Sequence, residues 1–85
     1  MTDCAIVTVQ TQDEKFRIDM ELPLSVPISE LSKGILETLK EVAPNLFGGY
    51  EKLTIWYGKR KLLSDETMES NSIWDGSIIY IGGKQ

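Results

Sequence analysis

The most constraining feature of this 85-residue chain is a change in hydrophobic period between two neighbouring segments. Residues 16–22 alternate strictly between apolar and polar, as in a strand with one face in water. From residue 28 to residue 42 the apolar spacing becomes three and four, which predicts one apolar stripe along a helix. We expect the two sets to pack against each other: Phe16, Ile18, Met20 and Leu22 on the strand, and Ile28, Leu31, Ile35, Leu36, Leu39 and Val42 on the helix.

Four further segments complete the predicted fold. The β-branched run 5–10 predicts a first strand, and residues 53–56 predict a third. A short return strand follows at 61–63, after which residues 64–72 read as a polar, irregular loop. The continuous apolar run within 77–81 favours a central last strand. The prediction is an α+β β-grasp: a mixed four- to five-stranded sheet on one helix, in the order ββαβββ, with the first and last strands parallel at its centre.

Composition excludes several classes of function. The formal charge of -4 disfavours nucleic acid as a partner, because phosphate binding needs a cationic surface. The chain has no histidine and a single cysteine, Cys4, so we expect no metal, no cofactor, no enzyme activity and a reducing, cytoplasmic environment. No apolar run approaches the roughly 18 residues of a membrane span, and the first residues lack a secretory signal. Nothing in the sequence indicates membrane insertion or a small-molecule ligand.

Three segments in order resemble the ubiquitin superfamily: residues 53–59, 63–68 and 73–81. Within that superfamily, the Leu-Pro and Val-Pro pairs of residues 22–31 are similar to the start of the helix in the bacterial YukD/EsaB group. The resemblance implies one ubiquitin-like domain over 1–85, with a structured core of about 4–82. It also implies a cytoplasmic, non-enzymatic protein-interaction module of a type VII secretion system, which exports WXG-motif proteins. Its partners would be the secretion machinery. Because the edge strands of the predicted sheet are exposed and could pair, we expect a monomer or a weak homodimer.

Two other functions remain open from the residues. Gly82-Gly83 suggests a ubiquitin-like modifier or sulfur carrier, which would require removal of Lys84-Gln85. Against this, we expect the two glycines to leave the sheet almost at once, which makes the tail short for an activating enzyme. The chain could also be a ubiquitin-like scaffold domain of a longer protein.

The predicted interaction site lies on the outer face of the sheet. Thr54, Trp56 and Tyr80 should project from this face, with Thr54 opposite Tyr80 if the strands pair as in the family. Exposed aromatic side chains are plausible interface anchors, although cross-strand packing alone would also explain them. Trp74 is expected to cover an edge of the core and to have no binding role.

The resemblance also predicts which receptors should not bind. It places the three apolar positions of the ubiquitin binding patch near Thr11-Gln12, at Thr54 and at Gly82, where this chain is polar or has no side chain. Receptors that read that patch are therefore not expected to bind.

Overall fold

The predicted order of elements is confirmed. The computed structural model describes residues 4–84, the last of them by its backbone only. The elements are β1 (Cys4–Thr11), β2 (Arg17–Pro23), α1 (Ile28–Val42), α2 (Pro44–Phe47), β3 (Lys52–Tyr57), β4 (Arg60–Lys61), a single 3-10 turn (Glu69–Asn71) and β5 (Ile78–Lys84).

The strands form one five-stranded mixed sheet in the spatial order β2-β1-β5-β3-β4. β1 and β5 are parallel, with Val9 opposite Ile79 and Thr11 opposite Ile81. The other three neighbouring pairs are antiparallel. This is the β-grasp topology, and β5 is a central strand as its continuous apolar run predicts.

The helical stripe covers the sheet, with one exception at its end. Ile28, Leu31, Ile35, Leu36 and Leu39 are buried, whereas Val42 is 53% exposed. The prediction that Val42 packs against the sheet is wrong, because α1 ends at that residue and the chain continues into α2. Phe47 of α2 fills this end of the core instead, and its ring lies edge-on to Phe16 at a centroid distance of 5.2 Å.

The segment 64–72 is not only a polar loop. Met68 within it and Ile73 just after it are fully buried. The segment is also bonded to the start of α1: the Ile28 and Ser29 amides donate to the carbonyls of Glu66 and Ser64, at 2.7 and 3.1 Å. Pro27 is the N-cap and makes no side-chain capping bond, so these carbonyls satisfy amides that the helix itself cannot.

The turn at Asp75-Gly76 is hydrogen-bonded to the backbone of β1. Asp75 Oδ1 accepts the Ile6 amide at 2.7 Å, and the Gly76 amide donates to the Ile6 carbonyl at 2.9 Å. Gly76 has a φ of +85°, which glycine adopts without strain. The prediction for Trp74 is wrong: its side chain is 50% exposed, while its neighbour Ile73 enters the core.

Candidate interaction surface

One row of side chains crosses the outer face of the whole sheet. Adjacent strands place its members directly opposite one another, in the order Arg17, Gln10, Tyr80, Trp56 and Lys61. Two aromatic residues therefore stand at the centre of the row, with a cation at each end. Gln10 is 6% exposed in spite of its position on the outer face.

The structure brings the predicted residues together in a different register. Trp56 lies directly opposite Tyr80, and Thr54 lies opposite Gly82. The predicted pairing of Thr54 with Tyr80 is wrong by two residues, which is why all three residues still share the outer face. Trp56 and Tyr80 are a cross-strand aromatic pair, and each is half-buried.

The indole of Trp56 extends from this row onto the backbone of Gly82. A Cβ atom at position 82 would lie 3.0 Å from Cζ3 and 3.2 Å from Cη2 of Trp56. It would also lie 3.6 Å from Oε1 of Gln12. The positions that correspond to the ubiquitin patch thus do meet on this face, but an indole ring covers the glycine among them.

Two exposed aliphatic side chains continue the aromatic pair along the sheet. Ile78 is 38% exposed and Ile6 is 54% exposed. Ile78 lies two residues before Tyr80 on β5 and opposite Thr8 of β1, so it projects from the same face. Alternation along β1 and β5 could have identified these residues. In β5, however, the apolar run 78–81 does not show which residues face outward. We call the set of Ile6, Ile78, Tyr80, Trp56 and Thr54 the outer strip.

The expectation that the diglycine leaves the sheet is wrong. Gly82 and Gly83 continue β5 and lie opposite Thr54 and Leu53 of β3. A Cβ atom at Gly83 would overlap the ring of Tyr50 on the inner face of the sheet. Gln85, which a protease would have to remove with Lys84, lies outside the described residues. Because an activating enzyme needs a free, extended glycine tail, this pairing disfavours a modifier or sulfur carrier.

Among the described residues, the ionisable groups give no indication of a metal site or a general acid. Within residues 4–84, no three histidine, cysteine or acidic side chains meet as potential metal ligands. A hydrogen bond from the Thr11 hydroxyl lowers the pKa of Asp13, and the Leu63 amide followed by Arg60 lowers the pKa of Glu66. A general acid at neutral pH needs a raised pKa, so both shifts have the wrong direction for that role.

The fold has close structural counterparts among solved proteins. The ubiquitin-like domain of the Mycobacterium tuberculosis type VII secretion system protein EccD1 superimposes with a TM-score of 0.72 at 22% identity, covering 92% of this chain and 96% of that one. The EccD5 ubiquitin-like domain from Mycobacterium xenopi gives a TM-score of 0.77 at 15% identity, covering 96% of each chain. These similarities establish the ubiquitin-like fold.

A third match places a domain of this shape within a larger chain. A chain of the MycP5-free ESX-5 inner membrane complex matches with a TM-score of 0.76 at 16% identity. The match covers 96% of the present chain and 21% of the larger one.

No helix among the described residues is both long and apolar enough to cross a membrane.

Sequence comparison identifies the family. Among curated proteins no sequence match is found. The family model described as "WXG100 protein secretion system (Wss), protein YukD" matches residues 4–81, which is nearly the whole chain. This chain therefore belongs to the YukD family of the WXG100, or type VII, secretion system.

Proposed function

We propose that this protein is a non-enzymatic docking module on the cytoplasmic side of a type VII secretion system, and that the outer strip is its docking surface. Residues 1–85 would act as one domain whose role is to bind another component of the machinery. The family assignment and the likeness to a chain of an inner membrane complex support the choice of system. The outer strip supports the choice of mechanism.

The observation that carries the proposal is the position of the Trp56–Tyr80 pair. Both side chains lie at the centre of a row that crosses all five strands, and exposed Ile78 lies two residues before Tyr80 on the same face. Aromatic residues near the centre of a surface bury large apolar areas on binding and keep a polar atom for a hydrogen bond. Sheet packing alone accounts for the aromatic pair but does not require Ile6 and Ile78 to be exposed on the same face.

Binding should be measured against the purified cytoplasmic regions of the membrane proteins encoded with this chain. By isothermal titration calorimetry, we expect Trp56→Ala and Tyr80→Ala each to weaken binding by at least about tenfold, the size of an ordinary hot-spot loss. Leu46→Ala is the matched control, since Leu46 is also an exposed apolar residue but lies on α2.

Circular dichroism and urea unfolding should show that each variant remains folded. Unchanged affinity in both aromatic variants, with the control also unchanged, would exclude the outer strip as the docking surface. Failure of every cytoplasmic region to bind the unmodified chain would count against the docking role itself.

A further inference from the structure

The outer edge of β3 is only partly paired. β4 pairs with Trp56 and Tyr57 alone, and the Leu62 amide then donates to the Ile55 carbonyl at 2.9 Å. In a strand, the backbone groups of every second residue point to the same side. The amide and carbonyl of Leu53 therefore point to the same edge as those of Ile55. Among the described residues no hydrogen bond reaches Leu53 on that edge.

A groove lies beside this free edge, between β3 and α1. It exists because the chain leaves the sheet after Leu62 and crosses to the helix, where Ser64 accepts the Ser29 amide. Two adjoining cavities, of about 380 and about 320 Å³, share Leu53 among their lining residues. In the larger cavity, buried Leu36 and half-buried Leu53 supply the apolar part of the lining.

The charge around the groove is opposite in sign to that of the whole chain. Lys33, Lys52 and Lys61 line the two cavities, and Glu51 is the single acidic residue in their lining. None of the three lysines forms an ion pair with another described residue. A locally positive groove in a chain of net charge -4 favours a ligand that carries carboxylates.

We propose that the free edge of β3 binds an extended, acidic segment of a partner protein by β-strand addition. The partner's backbone would bond to the free amide and carbonyl of Leu53. One of its aliphatic side chains would lie over Leu36, and its carboxylates, on the opposite face of the added strand, would face Lys52 and Lys61. In strand addition the backbone bonds provide affinity and the alternate side chains provide specificity.

The lining of the groove favours an extended chain over a small molecule. Ser29, Lys33, Glu51, Lys52 and Ser64 are all exposed, so the groove is shallow and open. Small-molecule sites instead enclose most of the ligand surface. The site is on the edge of the sheet, whereas the outer strip is on its face, so this inference does not depend on the proposed docking surface.

The test uses two displayed libraries of nine-residue peptides against the full chain. Both libraries alternate aliphatic residues; one carries aspartate and glutamate at the remaining positions, and the other lysine and arginine. We expect binders from the acidic library only. In ¹⁵N-resolved NMR spectra, a selected peptide should shift the amides of Leu53, Ser29 and Ser64 and slow hydrogen exchange at Leu53.

Two substitutions at one position separate the backbone bond from the side chain. Leu53→Ala removes the side chain and keeps the amide, whereas Leu53→Pro removes both. Proline is tolerated on a free edge because the ladder with β5 does not use that amide. We expect Leu53→Pro to bind the peptide about fivefold more weakly than Leu53→Ala, the value of one hydrogen bond.

Charge reversal provides a test that leaves the backbone groups of β3 unchanged. Lys52→Glu combined with Lys61→Glu should reduce affinity for the acidic peptide by at least about tenfold, and added salt should weaken binding to the unmodified chain. Three results would overturn the proposal: no acidic binders, shifts at Trp56 and Tyr80 in place of Leu53, or the same Leu53 shifts on concentrating the chain without peptide. The last would assign this edge to a second copy of the chain.

Discussion

The ring of Tyr50 occupies the space that a side chain at Gly83 would need. Tyr50 also packs edge-on against Phe47, with ring centroids 5.3 Å apart, so it cannot move without disturbing the core. We therefore expect Gly83→Ala to reduce the free energy of unfolding by about 1–3 kcal/mol, as overpacking usually does. Urea unfolding measures this.

The control for that prediction is the Tyr50→Ala background. Once the ring is removed, Gly83→Ala should change the free energy of unfolding little, because alanine fits a strand at least as well as glycine does. Gly82→Ala should be milder than Gly83→Ala, since Trp56 lies on the open face of the sheet and can shift. An equal loss with and without Tyr50 would show that the ring is not the cause.

Trp56 and Tyr80 should stabilise each other across the two strands. Directly opposed aromatic residues contribute about 0.2–1 kcal/mol beyond their separate effects. A double-mutant cycle with Trp56→Ala and Tyr80→Ala should give a coupling energy in that range. The cycle between Thr54 and Tyr80 is the control, and stronger coupling there would contradict the observed register.

Met68 should be a core residue despite the polar segment around it. Its side chain is fully buried, so Met68→Ala should lower the free energy of unfolding by about 2–5 kcal/mol. That is a large share of the roughly 4–13 kcal/mol available to a chain of this size. Leu63→Ala, at an exposed residue nearby, should stay within about 0.5 kcal/mol of the unmodified chain. Similar losses for the two variants in urea unfolding would contradict this assignment.

Gly34 is a place where the protein can be made more stable. It lies in α1 on the solvent side, and apart from its own helix backbone and chain neighbours no atom stands within 4 Å of where its Cβ would be. A close approach of helix and sheet, which would explain a glycine here, is therefore not present. Gly34→Ala should raise the free energy of unfolding by up to about 1 kcal/mol, because alanine is the better helix former. An unchanged or lower melting temperature would be evidence against this prediction.

The carboxylate of Glu66 should make stability depend on pH in the acid range. It accepts the Leu63 amide at 2.7 Å and an Arg60 nitrogen at 2.6 Å, which lower its pKa below the ordinary 4.5. A lowered folded pKa means that the stabilisation is complete above pH 4.5 and is lost as the pH falls through the folded value. Glu66→Gln should therefore be less stable at neutral pH.

The difference in free energy of unfolding between Glu66→Gln and the unmodified chain should become smaller at acid pH. Urea midpoints measured in steps below pH 4.5 follow this change. Glu37→Gln, at an exposed position on α1, is the control. A difference that is constant over the whole pH range would mean that the carboxylate charge contributes nothing.

The sequence alone determined the strands, the main helix and their sidedness. The alternation in 16–22 and the helical spacing after Ile28 specify which side of each element is apolar, and such local periods need no knowledge of the rest of the fold. For the same reason Thr54, Trp56 and Tyr80 could be placed together on the outer face.

Only the tertiary structure decided which distant residues meet. The register between β3 and β5 sets Trp56 opposite Tyr80 and retains the diglycine in the sheet, and side-chain alternation is unchanged by a shift of two residues. Met68 and Ile73 enter the core because their segment is bonded to the start of α1, while Val42 is exposed because Phe47 takes the space at the end of the helix. The first two relationships join residues far apart along the chain, and the third depends on where the helix ends, so no local period records them.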